Sequence, residues 1–301
     1  MKKHPIATIV NFCTNESRFL TPCLHEALRF SRQVIVCCAD HFFDGKEENK
    51  TLLEEIPKAF PECQFIQYPF IPQKIPKNIF KKIHPHHFWH SVSRLVGFQF
   101  LHADIEMVFF LDADEIAEGD RVQEWLECSD YHQHTALKLA NYWYFRESRY
   151  RADRWEDSIV LAQKKALSPD LLLHQDERSA IYSHLPHPKR GMVTGCGGKP
   201  LFHHYSWVRN EEEMLRKVQS WGHRKDRDWE SLVRAEFQKP FSGTDFVHGY
   251  RFQTLDTPIH AVDATTFSSK GKGHRKVLTE MELLKIIRSA KIGKSLFFRL
   301  F

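Results

Sequence analysis

Short apolar runs and longer amphipathic segments alternate through the first part of the chain. The apolar runs have the length of strands, and the segments between them carry apolar residues at helical spacing. The predicted strands are residues 6–12, 33–38, 63–68 and 107–111. The predicted helices are residues 16–30, 46–59 and 86–102. This alternation indicates βαβ units, and it predicts an α/β fold whose mostly parallel sheet has helices on its faces.

The second half of the chain has a less regular pattern. Its predicted strands are residues 135–141, 158–162 and 199–205, and a polar helix is predicted over residues 226–237. Asn210 and Thr279 each stand three residues before a Glu, which predicts a capped helix after each of them. The helix after Thr279 predicts a C-terminal helical extension.

The charge of the chain is concentrated at one end. Residues 270–301 hold nine Lys and Arg against two Glu, a net charge of +7, whereas the whole chain of 301 residues is only +5. The remaining 269 residues are therefore −2, which speaks against nucleic acid as a partner of the body. Apolar and aromatic residues alternate with cations at the end of the chain, and this predicts peripheral contact of residues 279–301 with an anionic membrane. The alternative is a helix that packs back on the body.

The seven cysteines show no C-x-x-C spacing, which favours reduced thiols over a disulfide framework or a zinc ribbon. The first residues lack the apolar core of a secretory leader, and no run of 18 apolar residues occurs. We therefore expect a cytoplasmic protein, with possible attachment at the inner face of the membrane as the tail indicates.

Three carboxylates follow the fourth predicted strand, at Asp112, Asp114 and Glu115. In open α/β sheets ligands bind beyond the carboxyl ends of the strands, so these side chains are candidates for a site. Carboxylates this close together repel one another unless a cation lies among them, and hard oxygen ligands suit Mg²⁺ or Mn²⁺. The alternative is a solvated acidic turn.

The segment Phe-Leu-Asp-Ala-Asp-Glu at residues 110–115 resembles the D-x-D motif of GT-A fold glycosyltransferases, and of glycosyltransferase family 2 in particular. Three further segments, at residues 13–24, 34–40 and 93–97, resemble that family's motifs in the same order. The segment His-Tyr-Ser-Trp at residues 204–207 is similar to one in the bisecting N-acetylglucosaminyltransferases. The second-strand segment departs from the family's usual Asp-Asp-x-Ser pattern, and no Gln-x-x-Arg-Trp motif of processive synthases follows.

The resemblance implies roles for particular residues. The implied nucleotide-sugar contacts are Thr14, Asn15, Glu16, Asp40, Arg94 and Asp112. The implied ligands of Mn²⁺ or Mg²⁺ are Asp112, Asp114 and His204, while the neighbour His203 should point to the opposite face of its strand. The resemblance also implies a GT-A domain over residues 1–240, with a nucleotide-binding half at 1–116, an acceptor-side half at 117–240 and the extension at 241–301.

The implied activity is metal-dependent transfer of a hexosyl or N-acetylhexosaminyl group from a nucleotide sugar, with a UDP-sugar favoured, to a glycan or glycolipid. An inverting reaction also needs a general base. Glu156 and Asp157 are the candidates, with Asp176 and Glu177 as competitors. Nearby aromatic residues can stack on sugar faces or form core; these are Trp143, Tyr144, Phe145, Tyr150 and Trp155.

Two other classes remain open. In a phosphatase of the haloacid dehalogenase type, Asp112 would attack phosphorus, but Ile116 stands where that motif has Thr or Val. In a carbohydrate-binding protein of the same fold, catalysis would be lost. A zinc pair at His86 and His90 is a weaker hypothesis, because no third ligand with suitable spacing is evident.

Overall fold

A mixed sheet forms the centre of the computed structural model, which describes residues 4–75, 85–174, 178–220, 224, 226–262, 267 and 271–290. Its strands are β1 (Ile6–Asn11), β2 (Gln33–Ala39), β3 (Gln64–Tyr68), β4 (Met107–Asp112), β5 (Glu115–Ala117), β6 (Ala136–Phe145), β7 (Glu147–Gln163), β8 (Met192–Val193), β9 (Phe202–Trp207), β10 (Phe252–Thr254) and β11 (His274–Val277). The helices are α1 (Ser17–Phe30), α2 (Lys50–Ala59), α3 (Pro85–Gln99), α4 (Gly119–Cys128), α5 (Pro169–His174), α6 (Arg178–His184), α7 (Glu211–Ser220), α8 (Trp229–Phe237) and α9 (Glu280–Ser289).

The strands lie in the order β11-β3-β2-β1-β4-β7-β6-β9-β5, with β10 paired to β7 and β8 paired to β6. From β11 to β4 every neighbouring pair is parallel, whereas β7 runs antiparallel to β4 and begins the mixed half of the sheet. The predicted α/β class, with a mostly parallel sheet flanked by helices, is confirmed.

Strand β4 is buried on both of its faces. Phe109 and Leu111 pack into the core that contains α1, while Val108 and Phe110 pack into the core that contains α3. Burial on both faces accounts for the continuous apolar run from which this strand was predicted. The first polar residue after that run, Asp112, therefore reaches the rim of the sheet.

The order in which the chain adds strands to the sheet changes sides at β1. Strands β2 and β3 lie on one side of β1, and the chain then returns through α3 to place β4 on the other side. Such a switch point leaves a crevice at the carboxyl ends of the two central strands. The return requires α3 to lie close to β1: a Cβ on Gly97 would stand 2.6 Å from Ile9 Cγ2.

The second half of the chain differs more from the sequence-based prediction. Strand β7 begins at Glu147 rather than at residue 158, and it pairs along β6 with several register shifts. The short strands β5, β8, β10 and β11 and the helices α5 and α6 were not predicted, because each is too short to show a periodic pattern.

The predicted C-terminal helix is present as α9, with Thr279 and Glu282 forming the expected capping box. Leu283 and Ile287 of this helix are buried in the core shared with α3. Residues 241–290 also contribute β10 and β11 to the sheet, and residues 291–301 lie outside the described residues. The predicted domain division remains a prediction. In the described part of the chain, no helix has the length and apolar character needed to cross a membrane.

Candidate functional site

A cavity of about 540 Å³ lies at the switch point, beyond the carboxyl ends of β1 and β4. Its wall continues over residues of β6, β7 and β9 and over helices α3 and α7. Small-molecule sites of enzymes typically have volumes of roughly 300–1,000 Å³. The place and the size of this cavity therefore make it the candidate active site.

A buried ion pair fixes the acidic turn between β4 and β5. Glu115 is fully buried, and its carboxylate forms a two-bonded ion pair with the Arg178 guanidinium, in which Arg178 Nη2 donates to Glu115 Oε1 over 2.6 Å. The same carboxylate accepts from the Asp112 backbone N–H and from the Ser158 hydroxyl, each at 2.8 Å. Glu115 thus positions its neighbours, and its own side chain is turned away from the cavity.

Asp112 presents a partly exposed carboxylate to the cavity. Asn11 Nδ2, from the paired end of β1, donates to Asp112 Oδ1 over 3.2 Å, and Arg178 Nη2 lies 3.4 Å from Oδ2. Burial opposes ionisation here, but Arg178, Arg94 and His90 outweigh it and hold the pKa of Asp112 below its usual value. Asp112 is consequently an ionised, accessible carboxylate.

Asp114 is buried among cations. Lys217 Nζ lies 3.5 Å and Arg209 Nη2 lies 3.9 Å from Asp114 Oδ2, and His204 Nε2 lies 3.5 Å from Oδ1. Burial again opposes ionisation, and these cations lower the pKa of Asp114 far below its usual value. Glu16 joins the same cluster through ion pairs with Arg209 and, at 3.6 Å, with Lys217.

These surroundings limit how a divalent ion can be held. Among the described residues, no three His, Cys, Asp or Glu side chains come together in a way that could hold a metal ion. Mg²⁺ bound with a phosphorylated substrate needs only one or two protein carboxylates, and Asp112 fits that requirement. The oxygens of Asp114 face Lys217, Arg209 and His204, and His204 Nε2 faces Asp114. Asp112 also faces Arg178 and Asn11, but its side chain is 31% exposed against 5% for Asp114, so the donor set fits an ion held mainly by Asp112 and by substrate oxygens.

His203 and His204 point to opposite faces of β9, as the strand geometry predicts. His204 lines the cavity, and the Trp143 ring meets it edge-on at 5.0 Å. His203 lies on the other face, where its Nδ1 is 2.7 Å from the Tyr144 hydroxyl and its Nε2 is 3.0 Å from Glu118 Oε1.

The two candidate bases occupy different places. Glu156 lines the cavity, with Oε1 at 3.4 Å from His248 Nε2, and burial raises its pKa against the opposing effect of His204 and His248. Asp157 lies in an adjoining open groove, where Lys138 Nζ donates to both of its oxygens over 3.1 Å. The competitors at residues 176 and 177 lie outside the described residues.

The structure divides the predicted nucleotide contacts into two groups. Asn15, Glu16 and Arg94 line the cavity, as does Asp112. Thr14 and Asp40 do not line it. Thr14 donates through its backbone N–H, over 2.9 Å, and through its hydroxyl to Glu48, while Asp40 accepts from the Phe70 N–H over 2.7 Å.

Sequence reasoning missed several residues that shape the cavity, among them Arg178, Glu48 and His248. Lys217 of α7 also lines the cavity, and its side chain is only 11% exposed. Lys217 stands three residues after the buried Met214, and this spacing places both residues on the same face of α7, which is the sequence signal that it could be buried. The chain around Arg178 offers no pattern that points to Glu115.

Of the suggested zinc pair, His90 lies 2.8 Å from Asn11 Nδ2, and the side chain of residue 86 lies outside the described residues.

A search of protein-family models found no match to this chain, and a search of curated proteins also found none. Among solved structures, it is similar to S. aureus TarS residues 1–349, with 12% identity and a TM-score of 0.40, over 79% of this chain and 71% of that one. It is similar to the 4-diphosphocytidyl-2C-methyl-D-erythritol synthase of Anaerococcus prevotii, with 8% identity and a TM-score of 0.38, over 78% of this chain and 96% of that one.

The chain is also similar to the glycosyltransferase GlyE of Streptococcus pneumoniae, with 12% identity and a TM-score of 0.37, over 79% of this chain and 64% of that one. At these TM-scores the likeness identifies neither a family nor a reaction. The function of this chain has to be inferred from its own site.

Proposed function

We propose that the protein is a glycosyltransferase of the GT-A type, which moves a sugar from a nucleotide-sugar donor to a glycan or glycolipid acceptor. The observation that supports this most strongly is the cavity at the switch point, where the accessible carboxylate of Asp112 lies beside Arg178. An oxygen ligand next to fixed cations suits a diphosphate that gains negative charge as it leaves.

The proposed donor lies with its diphosphate near Asp112. Asp112 would hold Mn²⁺ or Mg²⁺ together with the phosphate oxygens, and a bound divalent ion supplies electrostatic stabilisation of the leaving diphosphate. Asp114, another predicted ligand, pairs with Lys217 on the cavity wall and with the buried Arg209, and the third predicted ligand, His204, lies 3.5 Å from Asp114. In this proposal they act mainly by orienting these cations.

The nucleoside of the proposed donor lies between the ends of β1 and β2. Phe43 lines this part of the cavity, and its partly exposed ring offers a flat apolar face to a base. Asn15 and Glu16, which the family resemblance gives as nucleotide contacts, line the cavity just before the start of α1. A UDP-sugar is the donor that we favour.

Glu156 is the proposed general base of an inverting transfer. It lines the cavity, and its raised pKa brings proton transfer closer to neutral pH, which suits a base that takes a proton from the acceptor hydroxyl. Asp157 is held by Lys138 in the adjoining groove, so it is the second candidate.

A donor panel tests this function. The purified protein is incubated with UDP- and GDP-sugars with Mn²⁺ or EDTA, and release of the nucleoside diphosphate is measured. We expect release with one sugar nucleotide, dependent on the metal. Hydrolysis of p-nitrophenyl phosphate in its place would indicate the phosphatase, and binding of sugars without turnover of either substrate would indicate a carbohydrate-binding protein.

Peripheral membrane contact through residues 279–301 belongs to the same proposal, because it would bring the enzyme to lipid-linked acceptors at the inner face of the membrane. Each Lys or Arg near an anionic surface contributes about 1 kcal/mol of attraction. We expect the full chain to co-sediment with phosphatidylserine vesicles at low salt and to dissociate at high salt. Equal sedimentation of a chain that ends at residue 290 would contradict a role of the last residues.

A further inference from the structure

An open groove of about 460 Å³ adjoins the cavity. Glu156, Ser158 and Arg178 line both spaces, so the groove and the cavity meet at the proposed base. A ligand in the groove can therefore present a group to Glu156 while another ligand fills the cavity. This continuity makes the groove the place where a second substrate would be held.

The groove carries two exposed apolar side chains. Trp155 of β7 is 41% exposed and Met192 of β8 is 43% exposed, and both line the groove. The Trp155 ring packs edge-on against the Tyr142 ring, with 6.3 Å between the ring centroids. This contact with a side chain of the neighbouring strand β6 supports the ring of Trp155. A supported, exposed indole offers a flat apolar face with a polar edge, which suits the C–H face of a sugar ring.

The charges of the groove are balanced. Lys138 and Arg178 provide two cations, and Glu156 and Asp157 provide two carboxylates. Lys138 Nζ lies 3.1 Å from both oxygens of Asp157, so this pair offers hydrogen-bond donors and acceptors side by side without a net charge. Such a surface favours a hydroxyl-rich, uncharged ligand over an anionic one.

We propose that this groove binds the acceptor of the transfer as an uncharged glycoside, with one sugar ring on Trp155 and its hydroxyls on the Lys138–Asp157 pair. The inference rests on the proposed function, since it takes Glu156 as the group that receives the acceptor proton. It assigns acceptor specificity to β7 and β8, away from the donor residues at the ends of β1 and β4.

The test compares Trp155→Ala with Trp155→Phe and with Met281→Ala, a control at an exposed position of α9. The acceptors are p-nitrophenyl glycosides of glucose, galactose, mannose and N-acetylglucosamine, with the glucuronide as the charged probe. We expect Trp155→Ala to raise the acceptor KM at least about tenfold while hydrolysis of the donor by water stays unchanged. Trp155→Phe and Met281→Ala should stay close to the parent.

Saturation-transfer NMR with the methyl glycosides measures acceptor binding without any donor. Binding by the parent that is lost in Trp155→Ala supports the groove even if no donor is turned over, a result that would count against the proposed function alone. An unchanged acceptor KM and unchanged NMR binding in Trp155→Ala would overturn the groove assignment. Preference for the glucuronide over every neutral glycoside would overturn the uncharged class.

Discussion

The carboxylates on the two sides of the cavity lie in opposite electrostatic surroundings. On the proposed donor side, Asp112 and Asp114 lie 3.4 and 3.5 Å from Arg178 and Lys217, and these cations lower the pKa of both carboxyls although burial opposes them. On the proposed acceptor side, Glu156 faces the imidazole of His248 at 3.4 Å, and burial raises its pKa. In the described part of the chain, no Lys or Arg forms an ion pair with Glu156.

This difference separates two kinds of chemical work. Carboxyls that stay ionised at every physiological pH can hold cations, whereas a carboxyl with a raised pKa can accept and release a proton. In the proposed function the same residue type therefore serves charge placement on one side and proton transfer on the other. The surroundings that the fold supplies decide which of the two roles each carboxyl takes.

Removal of the cation that holds the acidic turn should have the largest effect. Arg178→Met leaves the fully buried Glu115 carboxylate without its partner, and breaking a buried pair in this way typically costs about 3–5 kcal/mol. We expect the free energy of unfolding, measured in urea, to fall by that amount. The matched double variant Arg178→Met/Glu115→Leu should regain much of the loss, and a single variant as stable as the parent would contradict the role of the pair.

The donor side was easier to predict from the sequence than the acceptor side. The apolar run of β4 ends at Asp112 because both faces of that strand are buried, so the position of the carboxylate followed from local pattern alone. The partners of these carboxylates could not be found this way. Arg178 and Lys217 lie 63 and 103 residues from Glu115 and Asp114, and only the tertiary fold brings them together.

The acceptor side depends on irregular strand pairing. The register of β6 against β7 shifts between Leu139 and Asn141 and again between Tyr142 and Tyr144. Each register shift interrupts the regular alternation of side chains between the two faces of the sheet. The sequence alone therefore could not tell whether Glu156 or Asp157 points into the cavity. The base thus stayed ambiguous at the level of sequence, and we propose Glu156 because it lines the cavity.

Loss of the acceptor-side carboxyl should have the next largest effect. General-base catalysis contributes roughly 10²–10⁴-fold to rate, so Glu156→Gln is expected to lower kcat at least about 100-fold with little change in donor KM. In the parent, activity should fall as the pH drops through the raised pKa of Glu156, since protonation removes the base. The kcat–pH profile from pH 4 to 9 measures both effects. Asp157→Asn is the control, and a larger loss in that variant would reverse the assignment.

Substitution of Asp112, the accessible carboxyl on the proposed donor side, should have a smaller effect, and that effect should appear only when the metal is present. Asp112→Asn is expected to weaken Mn²⁺-dependent binding of UDP at least about tenfold, because the amide keeps the shape but loses the charge that the ion needs. Calorimetric titration with UDP, in Mn²⁺ and in EDTA, measures the difference. Asp114→Asn, whose oxygens face Lys217 and His204, should instead lower the thermal stability. Equal metal-specific losses in both variants would make Asp114 a direct ligand.

Glu48 sharpens the comparison, because it lies on the donor side of the cavity yet behaves like the acceptor-side carboxyl. It is 4% exposed, its Oε2 accepts from the Thr14 N–H over 2.9 Å, and burial raises its pKa to about 7 from an ordinary value of 4.5. Between these two values the folded protein holds a proton that the unfolded chain has lost. The free energy of unfolding should therefore fall as the pH rises through this window, by at most about 1.4 kcal/mol per pH unit, and level off above it. Glu48→Gln should remove this pH dependence and be more stable than the parent at pH 8. The control Glu55→Gln, at an exposed position of the same region, should keep the pH dependence. Urea denaturation from pH 4.5 to 8 measures the free energy of unfolding of each variant, and parallel profiles for the parent and Glu48→Gln would show that Glu48 is ionised throughout, like Asp112.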